Sequence, residues 1–208
     1  SMKSLANRRK EYWKQRALSE EATYGWSPSI SAQLALPYFK RGQSLLELGG
    51  AYGRNSLLFA RQGIKVTNID FCRPWIELAD QQKGDLQLIN ICEDILEYNF
   101  VHEQFDAVFS NFILHFFTKQ ELNTVFLKVH SWLKPEGLFI NSWLSAEDPY
   151  AASGYSGGQY LHCFSQDELM KLHQEYNFEI LSLNELIELE LIHSKNKKTT
   201  FWLSVTQR

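Results

Sequence analysis

The chain has 208 residues, 44% of them hydrophobic, 14% aromatic and 22% charged, so it can bury a core without disulfide or metal staples, and a disordered or fibrous protein is excluded. Its formal net charge of −3 argues against a general nucleic-acid binder, which would be basic. Three cysteines (Cys72, Cys92, Cys163) and no CxxC argue against a disulfide framework or zinc site and fit a reducing, cytoplasmic setting; no apolar run approaches the ~18–20 residues that span a bilayer, and no apolar signal core follows the basic start.

Charge is unevenly spread along the chain. Residues 1–16 hold six basic residues (Lys3, Arg8, Arg9, Lys10, Lys14, Arg16) and one acid, Glu11, a net of +5 that leaves −8 for the rest of the −3 total. Residues 5–17 suit a helix with Leu5, Tyr12, Trp13 and Arg16 roughly on one side. Such a basic helix is either a solvated surface element or a flap over an anionic ligand. Residues 23–28 are turn-rich, Pro28 is acceptable at a helix start after Ser27, and a helix is expected over Ala32–Phe39.

Strands and helices then alternate. Ser44–Leu48 (SLLEL) is a strand that reaches Gly-Gly, and Arg54–Gln62 has helical spacing ended by Gly63. Lys65–Asp70 is the next strand and Pro74–Gln82 a helix. Leu86–Ile91 is a strand followed by Cys92-Glu93-Asp94, and Phe105–Asn111 is the fourth. Thr118-x-x-Glu121 is a capping box opening a helix to about Leu133, residues 134–137 (KPEG) form a turn, and Leu138–Trp143 is the fifth strand. Ser165-x-x-Glu168 caps a helix over Asp167–Tyr176. Phe178–Leu191 and Thr199–Thr206 are strand-like around the polar turn His193–Lys198, and strands so closely joined are antiparallel. The pattern specifies an α/β fold: a doubly wound, mostly parallel seven-stranded sheet with an antiparallel C-terminal hairpin.

The segment Glu47-Leu48-Gly49-Gly50-Ala51-Tyr52-Gly53 joins the first strand to its helix. Glycines there allow a tight turn and let a ligand approach bare backbone, at the strand ends where open α/β sheets bind ligands. Asp70 closes the second strand, 17 residues after Gly53, where a carboxylate can accept from two ribose hydroxyls. Asp94 follows the third strand, where it could meet an adenine amino group. Glu47 sits beside the place for a cationic amino-acid moiety. A dinucleotide fingerprint fits poorly, because its three glycines would fall on Gly49, Ala51 and Arg54, and arginine cannot give close helix–strand packing.

These stretches, LLELGGAYGRNSLLFA (45–60), VTNID (66–70), EDI (93–95), FDAVFSNFILHF (105–116) and LKPEGLFINSW (133–143), resemble the class I S-adenosylmethionine-dependent methyltransferases. The GRNSL…FA form of the loop, the capped helix from Ser165 and the histidine before the last strand are similar to the tellurite-resistance methyltransferase family. The resemblance implies one domain over 1–208, with 1–28 as a helical cap and 29–208 as the catalytic fold, and S-adenosyl-L-methionine as cofactor. It implies that Glu47, Gly49 and Gly53 frame the methionine moiety and that Arg54 reaches its carboxylate. Asp70 would hold the ribose, Phe71 and Ile95 would sandwich the adenine with Asp94 on its edge, and Ser110 would offer backbone to the amino group. Asn111, Leu114 and His115 would face the acceptor. The usual acid-x-Gly-x-Gly-x-Gly loop has Ala51 at its middle glycine here. Where the tellurite family tends to follow the histidine with arginine, His193 is followed by Ser194, with Lys195, Lys197 and Lys198 beyond; these are point charges rather than planar forks.

Methyl transfer from a sulfonium needs positioning more than acid–base help, and a thiolate, selenite or tellurite acceptor needs no strong base, whereas a phenol does. His115 is the candidate base or acceptor contact, and His193 a contact for an anionic acceptor; the plain alternative for each is a structural histidine. His162-Cys163 lacks a nucleophile's partner spacing. Residues 145–159, long, Gly/Ser-rich and aromatic, read as a lid, with Tyr150, Tyr155 and Tyr160 over the acceptor and Tyr12, Trp13, Tyr24 and Trp26 closing the other side. Ser110-Asn111-Phe112-Ile113 lacks the Asn/Asp-Pro-Pro-aromatic tetrad of nucleic-acid methyltransferases. The expected protein is a monomer or weak homodimer without metal, nucleic acid or membrane, methylating a small molecule, preferably a thiol or chalcogen oxyanion. Alternatives are O- or N-methylation of an aromatic small molecule, or a non-catalytic S-adenosylmethionine-binding module.

Overall fold

A computed structural model describes residues 4–153, 157–192 and 195–208. Five parallel strands, β1 (Ser44–Leu48), β2 (Lys65–Asp70), β3 (Leu88–Cys92), β4 (Phe105–Asn111) and β5 (Leu133–Leu144), are joined by an antiparallel pair, β6 (Glu179–Ile192) and β7 (Lys195–Gln207). The order is β3-β2-β1-β4-β5-β7-β6. The chain winds outward to β3 and then returns to place β4 on the other side of β1. That reversal opens a crevice at the carboxyl ends of β1 and β4, the usual ligand position in such sheets.

The continuous apolar strands follow from burial on both faces. Along β1, Leu45 packs with residues of α2 (Ile30–Ala35) and α3 (Arg54–Arg61), while Leu46 and Leu48 pack with α5 (Lys119–Trp132) and α7 (Gln166–Glu175). The capping boxes at Thr118/Glu121 and Ser165/Glu168 start α5 and α7. α4 (Arg73–Gln82) has Pro74 in its first turn and buries Trp75, Ile76 and Ala79. α1 (Leu5–Ser19) is different, burying only Arg9 and Ala17.

Several boundaries differ from the sequence expectation. The helix expected over 32–39 is α2 followed by a 3₁₀ turn over Leu36–Tyr38, because Pro37 cannot continue an α-helix. The KPEG turn does not separate α5 from the fifth strand; Glu136 has φ 66°, and the segment is absorbed into β5 with a register shift opposite Phe105/Ala107. A short helix, α6 (Pro149–Ser153), forms inside the expected lid. Most of the polar turn expected after His193 is strand. β7 begins at Lys195, and the hairpin pairs out to Ile192↔Lys195, whereas β7 meets β5 only as far as Phe201↔Leu144. Residues 195–200 therefore overhang the sheet.

His173 of α7 lies among Phe126, Trp143 and Phe178. Its Nδ1–H donates to Leu169 O (2.7 Å), Nε2 is buried without a partner, and burial holds its pKa down to about 4. A group whose pKa is depressed by folding in this way loses its stabilising contribution as pH falls below its unfolded value of ~6.5. The stability advantage of wild type over His173→Leu should therefore shrink by about 2 kcal/mol between pH 7.5 and pH 5.0 in urea unfolding. A constant difference would place the histidine in a solvated environment instead.

Candidate active site

The β1–α3 loop is held from the neighbouring strand. Asn68 in β2 accepts from Gly50 N–H (3.0 Å) and donates to Ala51 O (3.2 Å), while Asp70 Oδ2 accepts from Ala51 N–H (3.0 Å). A Cβ at Gly50 would lie 2.2 Å from Asn68 Oδ1, and one at Gly49 would lie 2.9 Å from Ile113. Gly49, Ala51 and Gly53 all have positive φ, at 63°, 52° and 87°. Ala51 thus takes a left-handed conformation in which its methyl costs energy.

Over the carboxyl ends of the parallel strands lies a cavity of about 370 Å³. Glu47, Asp70 and Asp94 all line it. Glu47 is fully enclosed, accepts from the Ser56 hydroxyl, and is pushed up to about 7 by burial. Asp70 also accepts from Cys72 N–H (2.8 Å), and burial raises it to about 6. Asp94 accepts from Leu96 N–H (2.9 Å) and pairs with Lys10 Nζ (2.7 Å). Phe71 and Ile95 supply apolar wall.

Helix α1 lies across this cavity. Arg9 makes two bonds to the Glu121 carboxylate (2.9 and 2.8 Å) and stacks on Phe117. Trp13 packs edge-on to Phe116 and against Trp75. The basic start of the chain therefore borders the cavity, and Lys10 reaches Asp94.

Gly49, Arg54, Asn111, His115, Tyr12, Trp13 and Tyr150 also line the cavity. Other expected positions do not line it, or line it with polar groups already engaged. Arg54 shares its Nη1 among Glu190 (3.4 Å) and the Tyr24 and Ser27 carbonyls (3.4 and 3.3 Å). Ser110 is fully buried and outside the lining, and with the Asn141 amide in its hydrogen-bonding orientation its carbonyl accepts from Asn141 (2.9 Å). Gly53 shapes the turn against Ala79, and Leu114 belongs to the core. Trp26 is half-exposed and packs on Tyr52, and Tyr160 is not in the lining. His193 and Tyr155 lie outside the described residues. The sequence reading missed Asn68, Phe112, Ile113, Glu190 and the inward role of Lys197. Asn68 had a signal, a polar residue inside an apolar strand. Phe112 had none, although it sits at φ 54° with its N–H held by Ser142 Oγ (3.1 Å), strain of the kind found at ligand sites.

His115 is buried in the cavity wall. The backbone N–H of Leu144 donates to its Nδ1 (3.2 Å), so Nδ1 carries no proton and the neutral ring carries its hydrogen on Nε2. Burial, with the nearby Lys197 charge, lowers its pKa to about 3. It can donate from Nε2 but is a poor base.

Residues 46–141 match the family described as a methyltransferase domain. The match takes in slightly less than half of the chain. Its fold is that of the class I S-adenosylmethionine-dependent methyltransferases. It is 30% identical over 104 residues to phosphoethanolamine N-methyltransferase 1 of Triticum aestivum, covering 48% of this chain but 21% of that protein. The chain thus spans about a fifth of that relative's length. Among solved structures it resembles the 1,6-didemethyltoxoflavin-N1-methyltransferase of Burkholderia thailandensis with bound S-adenosylhomocysteine (TM-score 0.70, 18% identity, 98% of this chain and 86% of that one). It also resembles TehB of Haemophilus influenzae (TM-score 0.69, 19% identity, 85% and 61%). The cavity fits an adenosine-bearing sulfonium: the glycine loop lines it, Phe71 and Ile95 add apolar wall beside Asp94, and Glu47 is a buried carboxyl with no cationic partner of its own within bonding distance among the described residues.

Two outcomes follow for the methyltransferase domain. Ala51→Gly should raise stability by about 1 kcal/mol by releasing left-handed strain, measured by urea unfolding; a loss would mean that the methyl's packing outweighs the strain. Raising pH from 6 to 8 ionises Glu47 and Asp70. Affinity for cationic S-adenosylmethionine should therefore rise relative to neutral-sulfur S-adenosylhomocysteine, by calorimetry, with proton release on binding near pH 6.5. A pH-independent ratio would place the sulfonium away from both carboxyls.

Proposed function

We propose that the methyltransferase domain transfers the methyl group of S-adenosylmethionine to a small-molecule acceptor whose nucleophile is soft or already anionic, a thiol or a chalcogen oxyanion. In this reading Asp70 holds the ribose, Asp94 meets the adenine edge between Phe71 and Ile95, and Glu47 with Gly49 frames the amino-acid end. Asn111, Tyr12, Trp13 and Tyr150 surround the acceptor. When bound, the donor supplies a methyl carbon already activated by positive sulfur. The chain's own task is to align the nucleophile and exclude water, effects that can supply roughly 7–11 kcal/mol.

The observation that carries the acceptor class is the tautomer of His115. A phenol or alcohol must lose its proton, and a histidine that accepts at Nδ1 and is held neutral by burial is ill suited to take it. The same ring offers an N–H to a lone pair or negative charge. Lys197, also in the lining, forms no ion pair among the described residues; its ammonium stands 5.5 Å from the Tyr150 ring centre. Both features favour an acceptor that brings negative charge. The N-methyltransferases among the relatives support a second reading, an amine acceptor, and an amine that also carries an anionic group would meet the same lysine.

A turnover panel of tellurite, selenite and 3-mercaptopropionate against phenols, catechol and phosphoethanolamine decides between them. Activity confined to phenols would end the proposal. At saturating donor, the rate should show no ionisation near pH 6.5 that depends on His115. His115→Phe should lower kcat/KM for the anionic acceptor by ~10- to 100-fold, the worth of one hydrogen bond to a charged group. A limb near pH 6.5 that vanishes in the Phe variant would restore the histidine as a base.

A further inference from the structure

The cations around the cavity are not equivalent. Arg9 is matched by Glu121, Lys10 by Asp94 and Arg54 by Glu190. Arg16, near the end of α1, also lines the cavity, yet it forms no ion pair among the described residues. Its Nη1 donates to the Tyr12 hydroxyl (3.2 Å), and its Nε–H is buried without an acceptor. Glu20, one turn on, adds a favourable coulombic contribution to Arg16. An unmatched guanidinium with an orphaned donor is costly unless a ligand completes it.

The position of Arg16 indicates which part of a ligand that would be. The Tyr24 ring lies between two guanidinium groups, Arg16 at 5.8 Å and Arg54 at 5.3 Å from its centre. Arg54 is the first residue of α3, directly after the glycine loop. Tyr24 is itself tied to that loop, its N–H donating to the Tyr52 hydroxyl (2.8 Å). Arg16 and Arg54, the residue that follows the loop, thus share the Tyr24 ring, whereas Lys10, further back on α1, reaches Asp94. Resting on the donor reading above, we infer that Arg16, not Arg54, binds the α-carboxylate of the donor's amino-acid end. The ion pair would also secure α1, which buries only two of its residues and is otherwise held by contacts along the cavity rim. Docking of the flap then depends on the carboxylate, which donor and demethylated product both carry.

The test compares two ligands by calorimetry. One is S-adenosylhomocysteine and the other is 5′-(3-aminopropylthio)-5′-deoxyadenosine, the same molecule without its carboxylate. Wild type should bind both, the first more tightly. Arg16→Met should weaken S-adenosylhomocysteine ~10- to 100-fold and leave the carboxylate-free ligand within twofold, with Arg16→Lys in between. In limited trypsin digestion, S-adenosylhomocysteine should protect the sites at Arg8, Arg9, Lys10 and Lys14 of wild type, and the carboxylate-free ligand should not. Asp70→Asn should weaken both ligands alike, which reports on the donor reading separately. If wild type binds neither ligand, the donor reading falls and the Arg16 assignment with it. If the donor binds but Arg16→Met shifts both ligands equally or neither, or if Arg54→Met alone shows the selective loss, the Arg16 assignment is overturned while the donor reading stands.

Discussion

The site depends on a loop whose shape is imposed by the strand beside it. A turn of glycines and one alanine has little preference of its own, because bare backbone visits many conformations. Here Asn68 takes up both a donor and an acceptor of the loop and Asp70 takes a third group, so β2 holds the turn at the end of β1. The bonds extend outward: Asn68 donates to Asn90 (3.1 Å), which donates to Asp80 (2.8 Å). Asp70 consequently has two tasks, bracing the loop and presenting a carboxyl to the cavity.

This double duty explains what could be read from the chain and what could not. The alternation of strands and helices, the capped starts of α5 and α7 and the acids at three strand ends are local patterns, and each was legible. The tasks of Arg54 and Ser110 were not, since they turn on partners 136 residues away in Glu190 and 31 away in Asn141. Spacing marks where a side chain begins, but its reach is settled by whatever the fold brings alongside. The tautomer of His115 shows the same limit: it is fixed by a backbone amide on another strand. The polar tip of the C-terminal hairpin read as turn because Lys, Asn and Ser are turn-prone, yet cross-strand pairing with β6 makes residues 195–198 strand.

Charge around the cavity is arranged by element. Around the rim Arg9 of α1 pairs with Glu121 of α5, Lys10 of α1 with Asp94 after β3, and Arg54 of α3 with Glu190 of β6. Such pairs contribute little to stability when exposed, but partly buried ones fix orientation, as the two-bond contact of Arg9 with Glu121 does for α1. Arg16 and Lys197, both in the lining, are left outside these pairs.

The overhang of the C-terminal hairpin has a consequence for how such a protein diversifies. Lys197, Thr199 and Glu190 reach the cavity from a two-stranded ribbon that has left the sheet, whereas the loop and its acids are anchored between residues 47 and 94. A ribbon outside the parallel part of the sheet tolerates replacement more readily than the interior strands do. Exchange of that arm between relatives would leave the nucleoside cradle untouched, so that new chemical preferences can be acquired by swapping an appendage rather than by rebuilding the interior.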